Sequence, residues 1–167
     1  MKTKMLFILS AICLTLSNNL CAQLPFKPSS DRPVNSQETS ELESIFSTSK
    51  LASAAVQPGT DSGAQRRAIA HERNRELENF VTNHLDSAWT PAIRLSLAND
   101  AKMHSSYVPA MNHYQETWNA LKGSTNILAR QMAHEASGGL AKLLALTGRI
   151  NELDALETEA GTEAAGG

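Results

Sequence analysis

Cysteine is nearly absent from this 167-residue sequence: Cys13 and Cys21 are its two examples, and both fall within residues 1–22. A chain that starts after Ala22 has neither a disulfide framework nor a thiol nucleophile. A basic excess is missing too. Of the 15 Lys and Arg, Lys2 and Lys4 lie in that leader, which leaves 13 against 17 Asp and Glu and argues against a nucleic-acid partner. Long apolar runs are equally scarce. The run at residues 5–16 is about half of the roughly 20 residues that a bilayer-crossing helix needs, and no second one follows. Lys122-Gly123-Ser124-Thr125 has the wrong order for a phosphate loop, and His134-Glu135 lacks the second histidine of a zinc-protease motif.

What is present begins with Met1-Lys2-Thr3-Lys4, an apolar stretch and a polar turn at Ser17-Asn18-Asn19. That is the order of a secretory signal peptide over residues 1–22, with cleavage expected after Ala22. Lipidation at Cys21 is the alternative, disfavoured because Asn18-Asn19-Leu20 lacks small residues before the cysteine. The mature protein is therefore expected in the periplasm or outside the cell, with no membrane association beyond export. The residues that remain suffice for one domain of ordinary size.

Residues 23–62 are rich in Ser, Pro, Thr and Gly and read as a disordered or loosely docked linker. Within it, the capping-box pattern Ser40-Glu41-Leu42-Glu43 ahead of Ile45-Phe46 predicts a short helix. From Gly63 onward apolar residues recur at about 100° per position, the signature of amphipathic helices. Over 64–83, Ile69, Ala70, Leu77, Phe80 and Val81 share one face. Thr90-Pro91 then opens a helix to about His104, with Thr90 as N-cap and proline in the tolerant first turn. Its Ile93, Leu95, Leu97, Ala98 and Ala101 wrap around it, as expected with neighbours on two sides.

Ser105-Ser106 separates that helix from the next, 107–121, where Ala110, Met111, Tyr114, Trp118 and Leu121 form a stripe. This stretch holds both tyrosines and one of the two tryptophans, so an aromatic binding box is the rival reading. The spacing favours a packing face. The longest helix covers 127–147 and contains Gly138-Gly139, each glycine costing about 1 kcal/mol relative to alanine. Gly139 lies in the apolar stripe, so close approach of another helix is the expected reason for it. Gly148 ends the helix. A last short helix, 151 to about 160, places Leu153, Leu156 and Ala160 on one side, and residues 161–167 read as a flexible tail.

Five helices with short connections must lie antiparallel to their neighbours, so the expected class is all-α: about two and a half stacked hairpins over residues 63–160. Ser105-Ser106-Tyr107 and Gly148-Arg149-Ile150 occupy equivalent turns 43 residues apart, each preceded at the same distance by Leu-Ala, Leu97-Ala98 and Leu140-Ala141. With Leu97-Ala98, the turn aromatic Tyr107 and the Ala-x-x-x-aromatic spacing of Ala110 and Tyr114, residues 64–160 resemble the tetratricopeptide repeat. Arg94 and Ala101 stand where that motif has tryptophan and tyrosine, Leu153 and Glu157 replace its alanine and aromatic in the second unit, and the spacing exceeds its usual period of about 34. The resemblance implies an α-solenoid with Leu97, Ala98, Tyr107, Ala110, Tyr114, Trp118, Leu140, Ala141 and Gly148 as structural positions.

A second resemblance rests on Ser87-Ala88-Trp89-Thr90-Pro91, on residues 110–123 with Trp118, and on residues 139–149. It is to helical-repeat regions near the N-termini of large exported proteins of Verrucomicrobia-type bacteria, which carry transglutaminase-like or RHS-repeat regions downstream. That resemblance implies the repeat portion alone, stand-alone or truncated, without a catalytic region.

The expected function is a non-catalytic protein–protein interaction module. Stacked hairpins make a concave surface lined by the first helix of each pair, and on that analogy Arg94, Asn99, Lys102, Ser137 and Lys142 face a protein or peptide partner. So few hairpins lie close to the minimum for independent stability, which favours homo-oligomerisation or docking to another chain. An enzyme is not expected, since Glu72, Glu76, Asp86, Asp100, Glu116 and Glu135 fall mostly on solvated faces. No cofactor is expected either. The rival is a periplasmic copper or zinc protein that uses Met103, His104, Met111, His113, Met132 and His134, but the helical stripes place Met111 and Met132 in packing faces and His134 on a polar one.

Overall fold

A computed structural model describes residues 24–29, 32–59 and 61–165, so the expected signal peptide lies outside the described residues. Among these, the chain forms six helices and no strand: α1 (Ser36–Ala55), α2 (Ser62–Asn83), α3 (Thr90–Met103), α4 (Tyr107–Leu121), α5 (Ile127–Leu146) and α6 (Ile150–Ala165). The protein is all-α, as its periodicity requires. Each helix packs on its neighbours in sequence, most extensively α3 on α4 and α4 on α5, and α3 also touches α5.

Three boundaries differ from the sequence reading. Residues 36–55, read as linker with a short helix from Ser40, form one 20-residue helix. Its cap is Asn35, whose Oδ1 accepts the Gln37 N–H at 2.9 Å, and its anchors are the buried Leu42 and Ile45. Thr90 is not the cap of α3. It lies inside the helix and its hydroxyl donates to the His84 carbonyl at 2.6 Å, while Trp89 takes the cap position with its N–H on Ser87 Oγ at 3.2 Å. α6 continues to Ala165, beyond the expected end at Ala160.

The turns after α3 and α5 share one geometry. Ser105 (φ 59°) and Gly148 (φ 71°) both adopt the left-handed conformation. After α3, Ser106 N–H reaches the Ala101 carbonyl at 2.8 Å and Ser105 N–H the Lys102 carbonyl at 3.0 Å; after α5, Arg149 reaches Leu144 at 2.9 Å and Gly148 reaches Ala145 at 3.2 Å. These are the two bonds of a Schellman ending, which satisfies carbonyls left open at a helix C-terminus.

Two apolar clusters meet on α3. Its Ala92, Leu95 and Ala98 join Tyr114 and Trp118 of α4, Met132, Ala136, Leu140, Leu143 and Leu144 of α5, and Leu156 of α6. Its Ile93 and Leu97 join Leu42 and Ile45 of α1 and Leu77, Phe80 and Val81 of α2. The aromatic stretch is a packing face: Tyr114 and Trp118 are 1% and 2% exposed. Gly139 explains how Tyr114 fits, because a Cβ there would stand 2.5 Å from the ring's Cζ. The Trp118 indole N–H donates to Glu159 Oε2 at 2.8 Å, and Lys122 Nζ binds the other oxygen of the same carboxylate. These hydrogen bonds, Lys122's first and then Trp118's, hold the Glu159 carboxyl below the ordinary carboxylate range and fasten α6 to α4.

Ahead of α1, residues 24–29 run outside any helix. Ser29 N–H donates to the Ala88 carbonyl at 2.7 Å. Phe26 meets Phe46 edge-on, with ring centroids 5.3 Å apart, and packs against both apolar clusters.

Candidate functional site

α3 carries Ala92, Leu95, Ser96 and Asn99 at positions i, i+3, i+4 and i+7, which is one face of a helix. α5 carries Leu128, Gln131, Met132 and Glu135 at the same spacing. These two rows line a groove of about 570 Å³. Arg73 and Leu77 of α2, Phe46 of α1 and Pro25, Phe26 and Lys27 of the N-terminal segment complete its lining. The volume lies inside the range of roughly 300–1,000 Å³ typical of ligand pockets, and the make-up, an apolar base with a few polar groups, is also typical.

Asn99 organises the polar part. Its amide donates to Glu135 Oε1 at 3.1 Å, so it clamps α3 to α5. Its Oδ1 accepts the Tyr114 hydroxyl at 2.6 Å and the Lys102 ammonium at 3.3 Å. Lys102 Nζ also stands 5.6 Å from the centre of the Tyr114 ring. Because Tyr114 is fixed from behind by Gly139, the clamp is braced by three helices. An arrangement of this kind can bury an apolar side chain of a bound segment and offer amide and carboxylate groups to its backbone. Glu135 is the one carboxylate lining the groove among the described residues.

The five residues expected to face a partner have separate fates. Asn99 lines the groove and Lys102 reaches it through Asn99. Arg94 does not line it: its side chain is 12% exposed and its Nε stands 2.9 Å from Glu116 Oε2 on α4, an ion pair whose N–H is not aimed along the contact. The Ser137 hydroxyl donates to the His134 carbonyl of its own helix at 3.1 Å. Lys142 is exposed on α5, clear of the groove. Sequence reasoning missed Phe26, Phe46, Arg73, Gln131 and Glu135. The spacing of Leu128, Gln131, Met132 and Glu135 was a usable signal for the last two; Phe26 has none within its own neighbourhood.

The sulfur and imidazole groups are dispersed. Met111 and Met132 are buried in the core, Met103 is 80% exposed, and His134 is exposed on α5. His104 Nδ1 lies 2.9 Å from the Asp100 carbonyl, and His113 Nε2 lies 2.9 Å from Glu78 Oε1. His71, His104 and His113 do line one crevice, of about 560 Å³, together with Glu78 and Asp100. Among the described residues, however, no three His, Cys, Asp or Glu side chains come close enough to hold one metal ion. None of the described helices is long and apolar enough to cross a membrane. Comparison with family models, with curated proteins and with solved structures finds no match to this chain.

Proposed function

We propose that this chain is an exported, non-catalytic module that holds an extended protein segment in the groove between α3 and α5. The observation that carries the reading is the pair of facing rows, 92, 95, 96, 99 and 128, 131, 132, 135, on the first helices of successive hairpins. Two further features support an arrangement of tetratricopeptide-like stacked hairpins. The helices pack in chain order, and the turns after α3 and α5, 43 residues apart, close with the same two hydrogen bonds. On this reading the chain acts as a repeat portion, by itself or beside further domains of a larger exported protein.

The test is site-specific photo-crosslinking. A photoreactive side chain at Gln131, inside the groove, is expected to form adducts with a partner from the exported fraction of the producing cells. The same group at Asp154, exposed on α6, is expected to form none. Equal labelling at the two positions, or none at Gln131, removes the reading.

A further inference from the structure

One border of the groove is a piece of the chain itself. Residues 24–29 read Leu-Pro-Phe-Lys-Pro-Ser. Pro25 and Pro28 fix φ near −65° and remove two amide donors, so the segment is extended before it meets any surface. Among the described residues it is held by the edge-on ring pair of Phe26 with Phe46, the packing of Phe26 on both clusters and of Leu24 on the one that includes α1 and α2, and one main-chain bond from the buried Ser29 to Ala88. Phe26 is only partly buried, and about 570 Å³ stays open beside it. A strap with one aromatic anchor, on a groove larger than it fills, can be replaced by another segment of the same kind.

We propose that the groove recognises an extended, proline-bracketed segment with an aromatic anchor, and that residues 24–29 are a resident member of that ligand class, displaced when a partner segment enters. This rests on the binding-module reading and adds what the module binds. The recognition mode is that of extended proline-rich peptides, which lose little conformational freedom on docking. Covalent attachment gives the strap an effective concentration in the millimolar range, so a free peptide competes poorly until the anchor is weakened.

The experiment uses the full-length protein and a fluorescent hexapeptide with the sequence of residues 24–29, followed by anisotropy. Phe26→Ala is expected to bind the peptide about tenfold or more tightly than the unaltered protein, because the tethered competitor is gone. A peptide with alanine for phenylalanine should bind neither, and Leu128→Glu in the Phe26→Ala background should abolish binding. Equal affinity for the two proteins, or no binding to Phe26→Ala while its helical spectrum is native, overturns the proposal. Should Phe26→Ala unfold, the unaltered protein supplies the readout: unlabelled peptide raised well above the strap's millimolar effective concentration is expected to remove hydrogen-exchange protection from the Ser29 amide, and unchanged protection there overturns the proposal. A partner crosslinked at Gln131 whose affinity is indifferent to Phe26→Ala leaves the module standing and removes the strap. Peptide binding to Phe26→Ala with no crosslinked partner has the opposite meaning.

Discussion

The part of the molecule built from α3 to α6 and the part built from α1 and α2 are fastened by different means. In the first, large side chains interleave and their polar ends are satisfied locally, Trp118 by Glu159 and Tyr114 by Asn99. In the second, α1 buries only Leu42 and Ile45, and much of its attachment is polar. Glu41 meets His84 at 3.0 Å, Glu38 accepts the Ser87 hydroxyl at 2.6 Å, and Thr39 accepts the Trp89 indole N–H at 3.3 Å. Further along, a pocket of about 300 Å³ opens between α1 and α2, lined by Ile45, Ala52 and Ile69 among others. Exposed ion pairs contribute roughly 0–1 kcal/mol each, so the hold on α1 depends on very few apolar contacts. A dense stripe makes a unit; a sparse one makes an attachment.

The largest test of that contrast is Leu42→Ala, which deletes a fully buried anchor and is expected to cost about 3 kcal/mol. Hydrogen exchange should show α1 amides losing protection while α4 and α5 keep theirs; equal loss throughout would mean that the two parts form one cooperative unit. Next, within the dense part, Gly139→Ala should lower stability by about 2 kcal/mol in urea titrations, since a Cβ meets the fixed Tyr114 ring. Its neighbour Gly138 has nothing within 4 Å of a Cβ, so Gly138→Ala should raise stability by up to about 1 kcal/mol. Adjacent glycines are thus expected to respond with opposite sign.

Smaller effects follow at the matched turns. Ser105 occupies a left-handed conformation that costs a non-glycine residue about 1 kcal/mol, so Ser105→Gly should stabilise and Gly148→Ala should destabilise by that amount in thermal melts. The smallest concerns pH. The folded Glu159 carboxyl titrates below its unfolded value, so its contribution is complete above the ordinary carboxylate range and is lost as pH falls through the folded pKa. Glu159 is 39% exposed, and solvent screens the pair. Hydrogen exchange of α6 should loosen over that acid window in the unaltered protein, and Glu159→Gln should start looser at neutral pH and change little across it.

How far the sequence could be read follows the same division. Helix α4 runs over residues 107–121 as its stripe requires, and α5 ends within one residue of the expected position, because both are strongly amphipathic. Gly139 in the α5 stripe pointed correctly to a close approach, though not to the tyrosine ring that makes it. The capping-box pattern announced a short helix, but the full length of α1 escaped because Ser36–Ala55 is dominated by Ser, Thr, Ala and Glu, with two buried anchors too few to register as a period. Helical position alone set Asn99 on the face of α3 that lines the groove. Arg94 and Ser137 are drawn elsewhere by contacts to Glu116 and to the His134 carbonyl, which no helical wheel contains. Phe26 acquires its meaning from α1, α2, α3 and α5 together, so no local pattern announces it.

The strap also imposes an order on assembly. The contacts among α3, α4, α5 and α6 join stretches adjacent in the chain, which close quickly, whereas residues 24–29 border a groove whose far wall is α5. On a ribosome these residues emerge well before the helix they finally face. Phe26 can therefore meet Phe46 and the cluster of α1, α2 and α3 early, but its other side stays uncovered until α5 has been made.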